Sequence, residues 1–87
     1  MRTIERAALF KRDFKKRGAI DTALIEVLYK LISDEDFPAK YRDHSLIGDW
    51  SGYRECHIRP DLLLIYKKLN GGILRLARLG SHSELFG

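Results

Sequence analysis

At 87 residues the chain has room for one domain with one modest core, because a chain of this length buries about two-thirds of its unfolded surface. A hydrophobic share of 45% with 32% charged residues argues against both a disordered and a membrane-spanning chain, and residues 1–87 are read as one unit. The single cysteine, Cys56, leaves no internal disulfide and no thiolate zinc cluster, so a reducing, cytoplasmic setting is expected.

The opening "MRTIERAALFKRDFKK" scatters charge and has no uninterrupted apolar run, so neither a signal peptide nor a membrane span is read there. "RTIERA" reads as a short first strand, followed by a helical pattern in which Ala7, Phe10 and Phe14 recur at i, i+3 and i+7. Between Met1 and Gly18 seven cations face two carboxylates, a local charge of +5 within a net +4, and the balance reverses between Ala19 and Asp36. The basic face of the first helix, with Lys11, Arg12, Lys15 and Lys16, suits a polyanion such as RNA or an acidic protein partner; the plainer reading is a solvated helix face.

Gly18 closes the first helix, since glycine readily takes the left-handed conformation needed there, and the cations of the last turn favour the negative end of the helix dipole. Asp21 is placed as the N-cap of a second helix, with Ile20 and Ile25 spaced to form a hydrophobic staple and Leu24, Val27, Leu28 and Leu31 as its buried stripe. The short turn between them predicts an antiparallel helical hairpin, ended before Phe37-Pro38. Residues 39–49 read as a loop.

"SGYRECHIR" alternates, with Tyr53, Glu55, His57 and Arg59 on a wet face and Arg54, Cys56 and Ile58 on the other. Pro60-Asp61 turns the chain into "LLLIYK", an apolar run that predicts a central strand covered on both faces. "NGG" at 70–72 predicts a hairpin, and "ILRLARL" closes a meander on which Arg78 shares a face with Leu74 and Leu76. The expected fold is α+β: an N-terminal strand and helical hairpin packed on an antiparallel sheet with a C-terminal three-stranded meander.

His44 in the loop, His57 on the wet face and His82 beyond the last strand could meet at one side of that sheet, with Asp61 joining them. Their spacing matches no compact zinc pattern, and no metal or cofactor is expected. Imidazoles give and take protons near neutral pH, which beside cations suits RNA cleavage: a base takes the ribose 2′-hydroxyl proton, an acid protonates the leaving 5′-oxygen, and cations stabilise the phosphorane. Phe86 could instead plug the edge of the core, while Trp50 and Tyr53 read as packing residues.

"YRDHSLIGDWSGYRECHIRPDLLLIYK" followed by "LRLARLGSHSELFG" resembles the YafQ branch of the RelE/ParE superfamily of bacterial toxins, in the order of its elements as well as its motifs. The resemblance implies a RelE-like fold and the toxin of a type II toxin-antitoxin system. Such a toxin is a ribosome-dependent endoribonuclease that cuts translated mRNA and is neutralised by a cognate antitoxin. It places the functional set on His44, His57, Asp61, His82 and Phe86, with Arg78 near the scissile phosphate. By this analogy His82 is the general acid, His44, His57 and Asp61 share general-base and orienting work, and Phe86 stacks on a base. Leu62 stands where the family often has tryptophan. A non-enzymatic ParE-like topoisomerase inhibitor is one rival class, against which the three histidines argue; a plain RNA- or protein-binding module is the other, for which the basic helix would suffice.

Overall fold

The run Leu62–Leu69 is the central strand of a five-stranded sheet in the computed structural model, which describes residues 1–18 and 20–87. In chain order the strands are β1 (Thr3–Arg6), β2 (His44–Ser45), β3 (Arg54–Arg59), β4 (Leu62–Leu69) and β5 (Ile73–Gly80), lying side by side as β1-β5-β4-β3-β2. Three α-helices complete the order: α1 (Ala8–Arg17), α2 (Thr22–Ile32) and α3 (His82–Phe86).

Alternation along β4 divides the interior. Leu62, Leu64 and Tyr66 join Phe10 of α1 and Leu24, Val27 and Leu31 of α2 in the larger core. Leu63 and Ile65 face the other way, into a smaller core with Ala77 and Leu85, flanked by Leu46, Trp50 and Tyr53. Both faces of the central strand are buried, as its continuous apolar run predicts.

The expected hairpin turn joins β4 and β5 with Gly71 and Gly72 at φ 84° and 73°. Gly18 ends α1 at φ 74°, and the Asp21 side chain caps α2 by accepting from the Ala23 N–H at 2.8 Å. Ala19, in the turn between the helices, lies outside the described residues.

Four features differ from the sequence reading. The sheet is mixed, because β1 pairs with β5 in parallel, a direction that a strand's own residues do not encode. The 39–49 segment is not wholly loop: it holds β2 between single turns of 3₁₀ helix at Ala39–Tyr41 and Gly48–Trp50, and a two-residue strand is too short to display alternation. The staple residues Ile20 and Ile25 stay largely in solvent, 66% and 53% exposed, and line a shallow apolar groove with Phe14.

The fourth difference is on β5, where the register against β4 shifts between Ile65 and Tyr66: Ile65 faces Arg78, while Tyr66 faces Leu76. The extra residue lets Leu79 follow Leu74 and Leu76 into the helix-side core, so Arg78 does not share their face. Its guanidinium turns to α1, donating from Nε and Nη2 to Asp13 at 2.7 and 3.2 Å, and the Leu79 N–H donates to the same carboxylate at 3.1 Å.

Asp13 is only 7% exposed. Burial pushes its carboxyl pKa up, but the bonds from Arg78 and the Leu79 amide outweigh that and leave it below the ordinary carboxylate value. The pair therefore bolts α1 to β5. No helix is long and apolar enough to cross a membrane among the described residues.

Arg78→Ala strands the Asp13 carboxylate and is expected to cost about 2–3 kcal/mol, a Tm fall of roughly 10 °C or more. Asp13 folds with a lowered pKa, so its contribution is full above its unfolded value and fades as pH drops through the folded one. Urea unfolding of wild type and Asp13→Asn should then converge below about pH 4; a gap that stays constant down to the acid limit contradicts this account.

Candidate active site

A strand of two residues needs help to stay in a sheet, and β2 has it on both sides of His44. The Asp43 carboxylate accepts from the Tyr66 hydroxyl and from Arg54 Nε, and Arg54 Nη1 donates to the Ser45 hydroxyl at 2.8 Å. His44 is thereby fixed opposite Glu55 of β3. Its Nδ1 donates to the Arg42 carbonyl at 2.7 Å, and because a carbonyl can only accept, Nε2 is left to face the sheet.

The group it faces is Glu55. The carboxylate lies 3.7 Å from His44 Nε2 and 3.4 Å from His57 Nε2, both measured to Oε1. Sequence alternation placed Glu55 on a wet face, yet it is only 4% exposed, because its neighbours β2 and β4 and the two imidazole rings close over it. A buried carboxylate needs charged or hydrogen-bonding partners. Here it has two rings that become ion-pair partners on protonation.

His82 approaches from the other side. The register aligns His57 with Leu63 and Leu63 with Gly80, so His57 and Gly80 are two strand spacings apart, about 10 Å. His82 follows Gly80 at the start of α3, and its backbone N–H donates to Asp61 Oδ1 at 3.1 Å across the β3–β4 turn. Asp61 thus ties the terminal helix to the strand end that carries His57.

Helix α3 itself was missed in the sequence, although the spacing of Ser81 and Glu84 is a capping-box signature. The Glu84 N–H donates to the Ser81 hydroxyl at 3.2 Å, and the Ser81 N–H donates to Glu84 Oε1 at 2.7 Å. These bonds, with Lys16 and Arg17 nearby, hold the Glu84 carboxyl below its ordinary pKa. Leu85 plugs the smaller core, while Phe86 stays 40% exposed with its ring centroid 5.2 Å from that of His82. Packing is close: a Cβ on Gly80 would lie 3.0 Å from Glu84 Oε1 and 3.3 Å from Leu85 Cδ2.

The structure therefore brings His44 and His57 together on Glu55, and Asp61 together with His82 and Phe86, all at one end of the sheet. Of the basic set, Lys11, Arg12, Lys15 and Lys16 are exposed along α1, and Lys16 lies 3.7 Å from Glu84. Arg78 is engaged by Asp13, and its Nη1 has no hydrogen-bond partner among the described residues. Cys56 is fully buried, and burial pushes its thiol pKa up, which leaves it unreactive. No group of three or more His, Cys, Asp or Glu side chains is arranged to hold a metal ion among the described residues.

An α+β sheet with one face under two helices and histidines gathered at one end of the other, below a short C-terminal helix, places the chain among the small RelE-like toxins. Over residues 2–87 its sequence matches the bacterial toxin of type II toxin-antitoxin systems, YafQ, and the chain belongs to that family. The mRNA interferase toxin YafQ of Escherichia coli K12 is 41% identical over 90 residues, covering 99% of this chain and 97% of that protein. The solved E. coli DinJ-YafQ complex superposes with a TM-score of 0.84 at 41% identity, covering the whole of both chains. A copper-bound mutant toxin from Helicobacter pylori superposes with a TM-score of 0.88 at 42% identity, covering 99% of this chain and all of that one.

If Asp61 seats α3 through the His82 amide, Asp61→Ala should raise hydrogen exchange across α3 by about tenfold while leaving β4 protected. Asp61→Asn, which keeps an acceptor oxygen, should exchange nearly as wild type. Equal protection of α3 in all three proteins would show that the contact is dispensable.

Proposed function

We propose that this toxin is an mRNA interferase: an endoribonuclease that cleaves mRNA on the translating ribosome by acid-base chemistry, in the bacterial cytoplasm, until a cognate antitoxin neutralises it. The observation that carries the proposal is the pairing of two imidazoles on one buried carboxylate, beside a third imidazole whose helix is held by Asp61. A binding module has no need of three proton-transfer groups at one end of a sheet. The names of the relatives, an mRNA interferase and a toxin solved with DinJ, support the same substrate and the same kind of partner.

In this reading the base, drawn from His44, His57 and Asp61, takes the 2′-hydroxyl proton as that oxygen attacks the adjacent phosphorus. Glu55 holds the His44 and His57 rings in place and offsets positive charge between them. Cations, among them Arg78 through its free Nη1, stabilise the added negative charge of the phosphorane. His82 protonates the departing 5′-oxygen. The products are a 2′,3′-cyclic phosphate and a 5′-hydroxyl, so no water and no metal enter the first step.

Phe86, half exposed next to His82, offers a ring on which a base beside the cut can stack. Lys11, Arg12, Lys15 and Lys16 lead the RNA backbone across α1. The antitoxin is expected to carry an acidic or amphipathic segment that covers this surface and folds as it binds.

His82→Ala removes an exposed side chain from a helix whose cap and core contact lie elsewhere, so circular dichroism and Tm should be unchanged. Growth arrest on induction and mRNA 5′-end formation should fall roughly a hundred- to ten-thousand-fold. Undiminished toxicity would overturn the enzymatic reading. Cleavage by purified toxin on programmed ribosomes should also survive a transition-metal chelator at constant magnesium; loss of activity restored by zinc or copper would replace this mechanism with a metal-dependent one.

A further inference from the structure

Beside His57, on the helix side of the sheet edge, lies a cavity of about 370 Å³. Its walls come from three elements: Ala23 and Glu26 of α2, the 3₁₀ turn with Lys40, Tyr41 and Arg42, and the end of β3 from His57 to Pro60. It exists because β2 is so short. Among the described residues only Arg54 and Glu55 pair with β2, so from Cys56 to Arg59 the outer edge of β3 has no strand beside it, and Tyr41 of the 3₁₀ turn packs with Cys56 and Ile58 there.

The charges around this cavity are unevenly committed. Arg59 is held by Asp21 in a two-pronged pair at 2.7 and 2.8 Å, and Glu26 accepts from the Tyr41 hydroxyl at 3.1 Å. Lys40 makes no ion pair among the described residues; its ammonium rests 5.1 Å above the Tyr41 ring. The Arg42 side chain has neither an ion pair nor a hydrogen bond among the described residues, although its backbone carbonyl orients His44. Arg42 also sits at φ 50°, a left-handed conformation that non-glycine residues seldom adopt.

We infer that this cavity is a subsite for one nucleotide of the RNA next to the cut, with its phosphate taken by Lys40 and Arg42 as the strand leaves His57. The inference rests on the active-site reading above and extends it. Four observations favour RNA here. The volume is within the roughly 300–1,000 Å³ range of ligand pockets. Among the described residues Lys40 and Arg42 have no ion pair, and the one carboxylate in the lining, Glu26, accepts from the Tyr41 hydroxyl. The Tyr41 ring forms part of the wall, and His57 belongs both to the cavity and to the imidazole pair on Glu55. The segment that rims the cavity also sets the His44 ring, so a phosphate drawn to Arg42 reaches the chemistry along one short stretch of backbone.

The test combines a Lys40→Gln/Arg42→Gln variant with ribosome-bound mRNAs in which single phosphates around the cut are replaced, one at a time, by neutral methylphosphonates. Both side chains are exposed, so the variant should keep the wild-type Tm. It should raise KM about tenfold with kcat within twofold, and weaken the salt dependence of RNA binding by about 0.7 in logarithmic slope, the contribution of one neutralised single-strand phosphate.

One methylphosphonate position should raise KM for wild type by a similar factor and have no further effect on the variant. Lys40→Arg/Arg42→Lys should restore wild-type behaviour. Equal sensitivity of variant and wild type at every position overturns the subsite. So does unchanged cleavage accompanied by weaker antitoxin binding, which assigns the cavity to an acidic antitoxin segment. No cleavage by wild type under the same conditions overturns the active-site reading beneath it.

Discussion

Burial of both faces of β4 is the constraint on which the rest depends. With Leu62, Leu64 and Tyr66 committed to the helices and Leu63 and Ile65 to the smaller core, the strand has one register in which nothing apolar faces water. A shift by one residue would exchange the two sets. That register in turn aligns His57 with Leu63 and Leu63 with Gly80, which determines where the two halves of the candidate site stand. Side chains at 63 and 65 are thus packing residues with a direct bearing on chemistry.

Two buried carboxylates, one on each side of the sheet, do different work. Asp13 is satisfied fully by Arg78 and the Leu79 amide, and the arrangement resembles an internal bolt. Glu55 has imidazoles beside it at 3.4 and 3.7 Å, distances longer than a good hydrogen bond, and those rings carry charge only when protonated. A structural carboxylate with such conditional partners is poorly optimised for stability. The same arrangement suits a site in which rings exchange protons and the total charge must change during a reaction cycle. Polar groups that are imperfectly satisfied in the folded state are expected where function, rather than packing, sets the sequence.

The parts of the fold that were legible in the sequence are those written in period or in turn chemistry: the stripe of α2, the Asp21 cap, the Gly18 stop, the run at 62–66 and the glycine hairpin. What escaped has a common cause. The parallel partner of β1, the pairing of β2 and the burial of Glu55 all depend on residues far away in the chain, and none leaves a local trace. The bulge on β5 is similar, since a period-2 reading assigns Arg78 to the wrong face unless the register against β4 is known. Helix α3 is the exception, because its capping-box signal, Ser81 with Glu84, is local and present in the sequence. For the site, residue types and order were legible, and the resemblance named the set. Neither showed that a single carboxylate joins two of the three histidines.

A five-residue helix at a chain end would ordinarily fray, since one turn and a half cannot repay the cost of nucleation. Here its own cap steadies it and three contacts tie it to the rest of the molecule. The capping box satisfies its first turn, Leu85 enters the smaller core, Asp61 takes the His82 amide, and Glu84 lies within 3.7 Å of Lys16 and 3.4 Å of Arg17 at the end of α1. No one of these is strong; the ion pairs are exposed and worth little individually. Their directions differ, however, so together they leave the helix no axis along which to swing. The basic end of α1 therefore belongs to the architecture of the site as well as to its electrostatic field, and an anion that engages Lys16 or Arg17 competes with Glu84 for the cations that help seat His82 and Phe86.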